Sequence, residues 1–181
     1  MSWKIDNAHS EVNFTVRHMM IANVRGRFEK YSGNVEFDLE NPQNSSVEVE
    51  IETSSINTRE AQRDAHLKSG DFLDVETYPL MVFKSTHIEI LDNNRGLIHG
   101  NLTIKDITKP VVLETTYSGQ AKSPWGTTSA GFTATTKINR KDWGLTWNVA
   151  LETGGWLVSE EIKIELEMEV LKQEEMEATP A

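Results

Sequence analysis

From Ile162 to Val170 the chain alternates without exception. Ile162, Ile164, Leu166, Met168 and Val170 are apolar, and Lys163, Glu165, Glu167 and Glu169 between them are charged. On a helix this period of two would scatter apolar side chains around the whole circumference. On a strand it makes one dry face and one wet face. The pattern recurs along the chain. Val12, Phe14, Val16 and His18 oppose Glu11, Asn13, Thr15 and Arg17, and Val47, Val49 and Ile51 oppose Glu48, Glu50 and Glu52. Further inner faces are Val35, Phe37 and Leu39; Ile98, Gly100, Leu102 and Ile104; Val111, Leu113, Thr115 and Tyr117; and Ala130, Phe132, Ala134, Thr136 and Ile138. About eight long strands joined mostly by short loops predict an all-β antiparallel barrel or sandwich. Eight strands closed into a barrel enclose either packed side chains or one ligand. A membrane barrel would turn its apolar faces outward between aromatic girdles, which this sequence lacks.

Local signals refine the expectation. Met81 and Phe83 lie on one face of their strand and Ile88 and Ile90 on the other, so a bulge is expected near Ser85. Gly33 reads as a bulge or turn. Asn41–Ser45 and Asp92–Gly96 read as turns, Gly119–Gly126 as a loop, Asn139–Gly144 as one short helical turn, and Leu145–Gly155 as irregular. Gly26, Gly100, Gly131, Ala130 and Ala134 have two readings of equal weight: they widen the interior, or they make room for aromatic rings from neighbouring strands. The whole is expected to be one domain over residues 1–171, with a disordered polar tail at 172–181.

Composition excludes several functions. The 181 residues include no cysteine, so thiol catalysis, disulfides and cysteine metal sites are out. The net charge of −10 argues against nucleic acid and against docking on anionic lipid. No apolar run is long enough to span a membrane as a helix. With Met1 as the native start and no export signal, a cytoplasmic location is expected. His9, His18, His66, His87 and His99 show no zinc spacing, so no metal and no cofactor are expected. Neither a nucleophile elbow nor a phosphate-binding glycine loop is present.

The alternation stops between Thr53 and Phe83. A short helix fits there, starting with a capping-box-like Asn57 and Glu60 and ending at Gly70. Only Ala61, Ala65 and Leu67 are apolar between those ends, too few for a core helix. It reads as a polar cap over one barrel mouth, pinned by Phe72, Leu73 and Val75. Arg59, Arg63 and His66 are then offered to a polar head group. Phe72 is expected to be buried, and most of residues 59–68 exposed.

An ordered series of motifs resembles the YceI-like family of lipocalin-like barrels. It comprises Trp3-Lys4-Ile5-Asp6 with His9-Ser10, Phe14-Thr15-Val16-Arg17-His18, Val24-Arg25-Gly26-Arg27-Phe28, Arg63-Asp64-Ala65-His66-Leu67, Asp71-Phe72-Leu73-Asp74, Tyr78-Pro79, Phe83-Lys84-Ser85-Thr86, Leu102-Thr103-Ile104, Thr108-Lys109-Pro110-Val111 and Asn139-Arg140-Lys141-Asp142-Trp143-Gly144-Leu145. The resemblance implies an eight-stranded antiparallel lipocalin-like barrel with a helical insertion near residues 57–74. It also implies an apolar tunnel that binds polyisoprenoids or related lipids without catalysis. Asp106 stands where many relatives have a turn glycine, and a left-handed backbone is expected there. The Leu157–Glu160 loop departs from the family pattern.

The expected tunnel lining is Phe14, Val16, Phe37, Val49, Ile51, Phe83, Leu102, Leu113 and Phe132, with Leu67 and Phe72 closing one end. The protein would act as a lipid carrier, buffer or sensor. Two rivals remain. One is an enzyme on an apolar substrate, using His18 or His66 with Asp64. The other is a filled barrel acting through protein contacts, with the stretch from Trp125 to Trp156 as an exposed patch. A homodimer through sheet edges or loops is left open.

Overall fold

The computed structural model describes residues 1–173. Its strands are β1 (Ser2–Ile5), β2 (Glu11–His18), β3 (Ala22–Phe28), β4 (Tyr31–Glu36), β5 (Ser46–Glu52), β6 (Ile56–Asn57), β7 (Leu80–Ile90), β8 (Arg95–Ile104), β9 (Ile107–Lys122), β10 (Thr128–Asn139) and β11 (Val158–Lys172). One α-helix, α1 (Ala61–Lys68), is present among the described residues.

Both β1 and β2 pair with β11, β4 and β3 pair with them in turn, and β5 and β6 pair with those. Each of these couples is one long strand interrupted by a turn. The result is an all-antiparallel barrel of eight strands, closed where β11 meets β1 and β2. Closure turns all the inner faces onto one volume. In the closing seam Ile164 lies opposite Phe14 on one side and Thr136 on the other, and Leu166 lies opposite Val12 and Ala134.

The expected bulge is present: the β7–β8 register shifts between Ser85 and His87. The turn at Lys105-Asp106 takes positive φ at both residues, 52° and 60°, which matches the hairpin twist. Arg140–Trp143 forms the short helical turn, a 3-10 helix closed by Gly144 at φ 75°.

Three expectations need correction. Gly33 is neither bulge nor turn but mid-strand in β4. A β-carbon there would stand 2.7 Å from both the Glu48 carbonyl oxygen and Ile5 Cδ1, so close packing is what requires glycine. The Gly119–Gly126 loop is shorter than expected, because β9 runs on to Lys122. Gly119, at φ 111°, faces Gly131 where the β9–β10 register shifts, and so the strand survives its glycine as a bulge. The disordered tail does not begin at 172: Lys172 pairs with Trp3, and the Gln173 N–H donates to the Ser2 carbonyl at 2.9 Å. Residues 174–181 lie outside the described residues.

Two packed clusters hold the barrel. One joins Ile56, Leu73, Met81, Phe83, Ile104, Leu113, Ile138, Trp143 and Leu145. Its Trp143 Nε1–H donates to the Leu102 carbonyl at 2.9 Å. The smaller cluster is Trp3, Ala130 and Val170, with Phe37, Tyr117 and Phe132 against it. Gly26 and Gly100 are buried, and their space is taken by rings. A β-carbon on Gly26 would collide with the Phe14 ring, and one on Gly100 would collide with the Phe83 ring and stand 2.7 Å from the Lys84 carbonyl oxygen. At these two positions the glycines make room for aromatics and do not widen the interior.

At the β1–β2 junction Asp6 caps the 3-10 turn Asn7–His9 by accepting from the Ala8 N–H at 3.0 Å, and its other oxygen meets His9 Nδ1 at 2.7 Å. The hydrogen bond and charge of Asp6 raise the His9 pKa above its ordinary 6.5, with Glu169 adding to the effect.

Two outcomes follow from this packing. Gly100→Val should cost about 1–3 kcal/mol in urea unfolding through overpacking, and Phe83→Leu in the same chain should recover part of the loss. In a proton NMR titration His9 should titrate above 6.5 in the wild type and return towards it in Asp6→Asn. The folded state favours the charged ring, so the pair's contribution is complete below the unfolded value and is lost as pH rises through the raised one.

Candidate ligand cavity

The helical cap is built differently from its sequence signal. Asn57 does not cap α1; its side-chain oxygen accepts from the Arg59 N–H at 2.9 Å and bends the chain, with Arg59 at φ 66°. The helix starts three residues later than Thr58, capped by Glu60, whose carboxylate accepts from the Gln62 and Arg63 N–H groups at 3.1 and 2.7 Å. It ends at Ser69 rather than at Gly70. Buried Thr58 is the anchor. Its N–H and hydroxyl both donate to Asp64, at 2.8 and 2.5 Å, while Arg63 donates to its hydroxyl at 2.7 Å and to its carbonyl at 2.6 Å. Polar contacts therefore do what a narrow apolar stripe cannot. No residue of α1 is buried, whereas Phe72 and Leu73 are 8% and 7% exposed and fix its far end. Phe72, His66 and Trp147 meet with ring centroids 4.6–5.3 Å apart, tying the cap to the segment after β10.

Beneath the cap lies a cavity of about 520 Å³. Its wall carries Phe14, Val16, Phe37, Val49, Ile51, Phe83, Leu102, Leu113 and Phe132, with Leu67 and Phe72 at the α1 end. Of these, Phe72, Phe83 and Leu113 are also buried core. The cavity runs between the two packed clusters. It reaches the α1 end at His18, Arg63, His66, Trp147 and Leu157, and the opposite end at Leu39, Pro42, Ile90 and the Asp92–Gly96 hairpin.

The polar residues divide. Arg63 and His66 line the cavity. Arg59 does not; it is exposed in a separate groove on the outer wall with Arg25 and Arg27, because the turn at Asn57 points the chain away from the mouth. His66 Nε2 lies 2.9 Å from an Asp71 oxygen. Asp71 is 53% exposed and off the cavity wall, as is Asp64, which is occupied with Thr58. The tryptophans do not form one patch. Trp143 is 2% exposed, Trp147 lines the cavity, and the exposed Trp125 and Trp156 sit at opposite ends of the barrel.

The sequence reading missed Arg140. It is 2% exposed and lines the cavity. Its guanidinium donates to the carbonyls of Leu145 at 2.5 Å, Ser159 at 2.8 Å, Trp147 at 3.0 Å and Val158 at 3.4 Å. These bonds staple the irregular segment after β10 to the start of β11. Burial pushes the Arg140 pKa down, and the Glu160 carboxylate opposes that. An arginine stays charged under such a shift, so a positive charge stands behind the cavity's α1 end. The signal was its place in the Asn139–Leu145 motif, but only the fold brings four carbonyls around it. The fold also gathers Asp6, His9 and Glu169 from opposite ends of the sequence, with ligand atoms within 4.8 Å of one another.

Fold and cavity together define a closed antiparallel barrel with an apolar, rim-polar interior. Residues 3–170 match the YceI-like domain, and the chain belongs to the YceI-like family. A UPF0312 protein of Pseudomonas putida is 34% identical over 173 residues, covering 94% of this chain and 86% of the relative. A solved YCEI protein of Campylobacter jejuni is 33% identical with a TM-score of 0.77, covering 87% of this chain and 90% of that one. The structure titled as a polyisoprenoid binding domain from Saccharophagus degradans, implicated in plant cell wall breakdown, is 12% identical with a TM-score of 0.68, covering 94% and 98%. No described helix is long and apolar enough to cross a membrane.

Removing the Arg140 donors strands several buried carbonyls at once. Arg140→Met should cost at least about 3 kcal/mol in urea unfolding. Arg140→Lys should recover less than half of it, since an ammonium cannot reproduce the fork.

Proposed function

We propose that this protein binds a long-chain lipid of isoprenoid type, non-covalently, in the barrel cavity and serves as its carrier. The observation that carries the reading is an apolar cavity running between two packed clusters, with cationic and imidazole groups only at its rim. Left dry, a cavity of about 520 Å³ forfeits the packing contacts of the apolar side chains that line it. Water is a poor filler of such walls, because it needs polar partners. A flexible hydrocarbon is a good one, gaining roughly 0.8 kcal/mol per buried CH₂. The polyisoprenoid-binding neighbour from Saccharophagus degradans supports the same ligand class.

The head group would sit at the α1 end. There Arg63 Nη1 and His66 Nδ1 have no hydrogen-bond partner among the described residues, and the Arg140 charge lies behind them. Arg59 takes no part. Two observations weigh against the enzymatic alternative: His66 opens onto the cavity but its carboxylate partner Asp71 does not, and His18, also on the wall, makes no hydrogen bond to a carboxylate among the described residues. The protein-contact alternative called for a filled barrel and an exposed patch from Trp125 to Trp156, whereas a cavity remains and Trp143 and Trp147 lie inside.

Organic extraction of the purified protein followed by mass spectrometry should release a prenyl or other long-chain lipid. Val16→Trp, which fills the cavity wall without touching the rim, should lower affinity for a prenylated probe roughly fiftyfold by displacing several methylenes. Lipid-free wild-type protein whose probe affinity is the same in Val16→Trp would refute the reading.

A further inference from the structure

The β2–β3 hairpin turns on Met19, Met20 and Ile21. Both methionines take positive φ, 52° and 63°, a conformation usually given to asparagine or glycine because a β-carbon is crowded there. The strain does not serve the core: Met19, Met20 and Ile21 are 43%, 59% and 79% exposed. Val149 and Trp156 stand beside them, 47% and 52% exposed. Backbone bonds lock the three segments together, from the Met19 N–H to the Leu157 carbonyl at 2.8 Å and from the Leu157 N–H to the Val149 carbonyl at 2.9 Å. Just inside each exposed residue lies a cavity-wall residue: His18 before Met19, Trp147 before Val149, and Leu157 after Trp156. Apolar surface thus crosses the cavity rim at two places on one side, from Trp147 to Val149 and from Leu157 to Trp156.

The charges around this rim differ from those of the whole molecule. The outer-wall groove beside it holds Arg17, Arg25, Arg27, Arg59, Lys137 and Lys163 against Glu11, Glu161 and Glu165. Arg27 pairs with Glu29 at 3.0 Å, Lys137 with Glu161 at 3.8 Å and Lys163 with Glu165 at 3.0 Å, which leaves Arg17, Arg25 and Arg59 without an ion pair among the described residues. The Arg17 Nε–H donates to the Met20 carbonyl at 3.3 Å and braces the turn. Glu152 is the only carboxylate in the segment 145–157, and the two exposed glutamates that follow at the start of β11 are paired, Glu160 with Lys141 at 2.7 Å and Glu161 with Lys137 at 3.8 Å. At the other end of the barrel the exposed Leu39, Ile90 and Leu91 are flanked by Asp38, Glu40, Glu89 and Asp92.

We propose that this rim docks on the surface of an anionic phospholipid bilayer. Met20, Ile21 and Trp156 enter the acyl boundary and Arg17 and Arg25 meet the phosphates. This rests on the lipid-carrier reading and names where the cargo is exchanged: a chain passing from bilayer to cavity over an apolar rim never exposes its methylenes to water. The net charge of −10 does not prevent it. Beyond a Debye length of about 10 Å at 0.1 M salt the repulsion is screened, and the arginines act at contact. They also favour lipid over a second copy of the chain, since a two-fold contact through this rim would set arginine against arginine.

The test is flotation with vesicles of phosphatidylcholine and phosphatidylglycerol, and of phosphatidylcholine alone. The wild type should float with the anionic vesicles and far less with the neutral ones. Ile21→Asp should lower partitioning about tenfold, and Arg25→Gln about fivefold. Mass spectrometry of Ile21→Asp should show its lipid cargo retained, so loss of docking is read separately from loss of cargo. A wild type that does not float overturns the proposal, as do variants that float like it. An Ile21-dependent dimer in sedimentation velocity, without flotation, also overturns it and assigns the rim to a second copy. Flotation by a protein that carries no lipid sinks the carrier reading and leaves the docking surface standing.

Discussion

Ring closure is the constraint on which the rest depends. Once β11 pairs with β1 and β2 as well as with β10, every inward residue of eight strands faces one enclosed volume. Strand number fixes how wide that volume is, and side chains decide how much of it is filled. Here filling is uneven. The cluster around Trp143 and Leu113 packs one flank beneath the helix, and the cluster around Trp3 packs another at the far end. Partly buried residues such as Phe14 and Ile162 pack against the first cluster, Phe37 and Phe132 against the second, and a cavity remains along their inner faces.

Uneven filling places a heavy demand on the segments that close the ends. They have little apolar surface to bury and are held by polar contacts instead. Thr58 anchors the start of the cap through Asp64 and Arg63, and Arg140 gathers four carbonyls around the segment after β10. A buried arginine without a hydrogen-bonded carboxylate is costly unless its donors are used. Carbonyls use them here, so the guanidinium stays charged beside the cavity's end, with the Glu160 carboxylate offsetting part of its field. The same group thus stabilises a loop and leaves a positive charge beside the cavity.

Much of the fold was legible because strands write their faces into sequence at a fixed period. The inner residues of β2, β5 and β8 could be named, and even the phase slip at Ser85 was visible as a change of face. The left-handed turn at Asp106 was legible through the family motif, which has a turn glycine there, although the connection is the two residues Lys105-Asp106 and residues 107–110 already belong to β9. Legibility failed where contacts are distant in sequence. Gly33 resembled a bulge because its reason, the approach of Glu48 and Ile5, lies in neighbouring strands. Asn57 resembled a helix cap because the competing turn at Arg59 depends on Thr58 being buried and Asp64 coming back to it.

By itself the sequence determined an antiparallel β domain, its inward residues, its interruption by a polar helix, and its family. Those are properties of local period and ordered motifs, which need no partner strand to be read. Only the tertiary structure decided that Gly26 and Gly100 hold aromatic rings, that Arg63 and His66 reach the cavity while Arg59 turns away, and that Arg140 stands behind it. The physical reason is that volume and burial belong to pairs of residues from different strands. Their register is set by ring closure, and no single stretch of the chain carries that information.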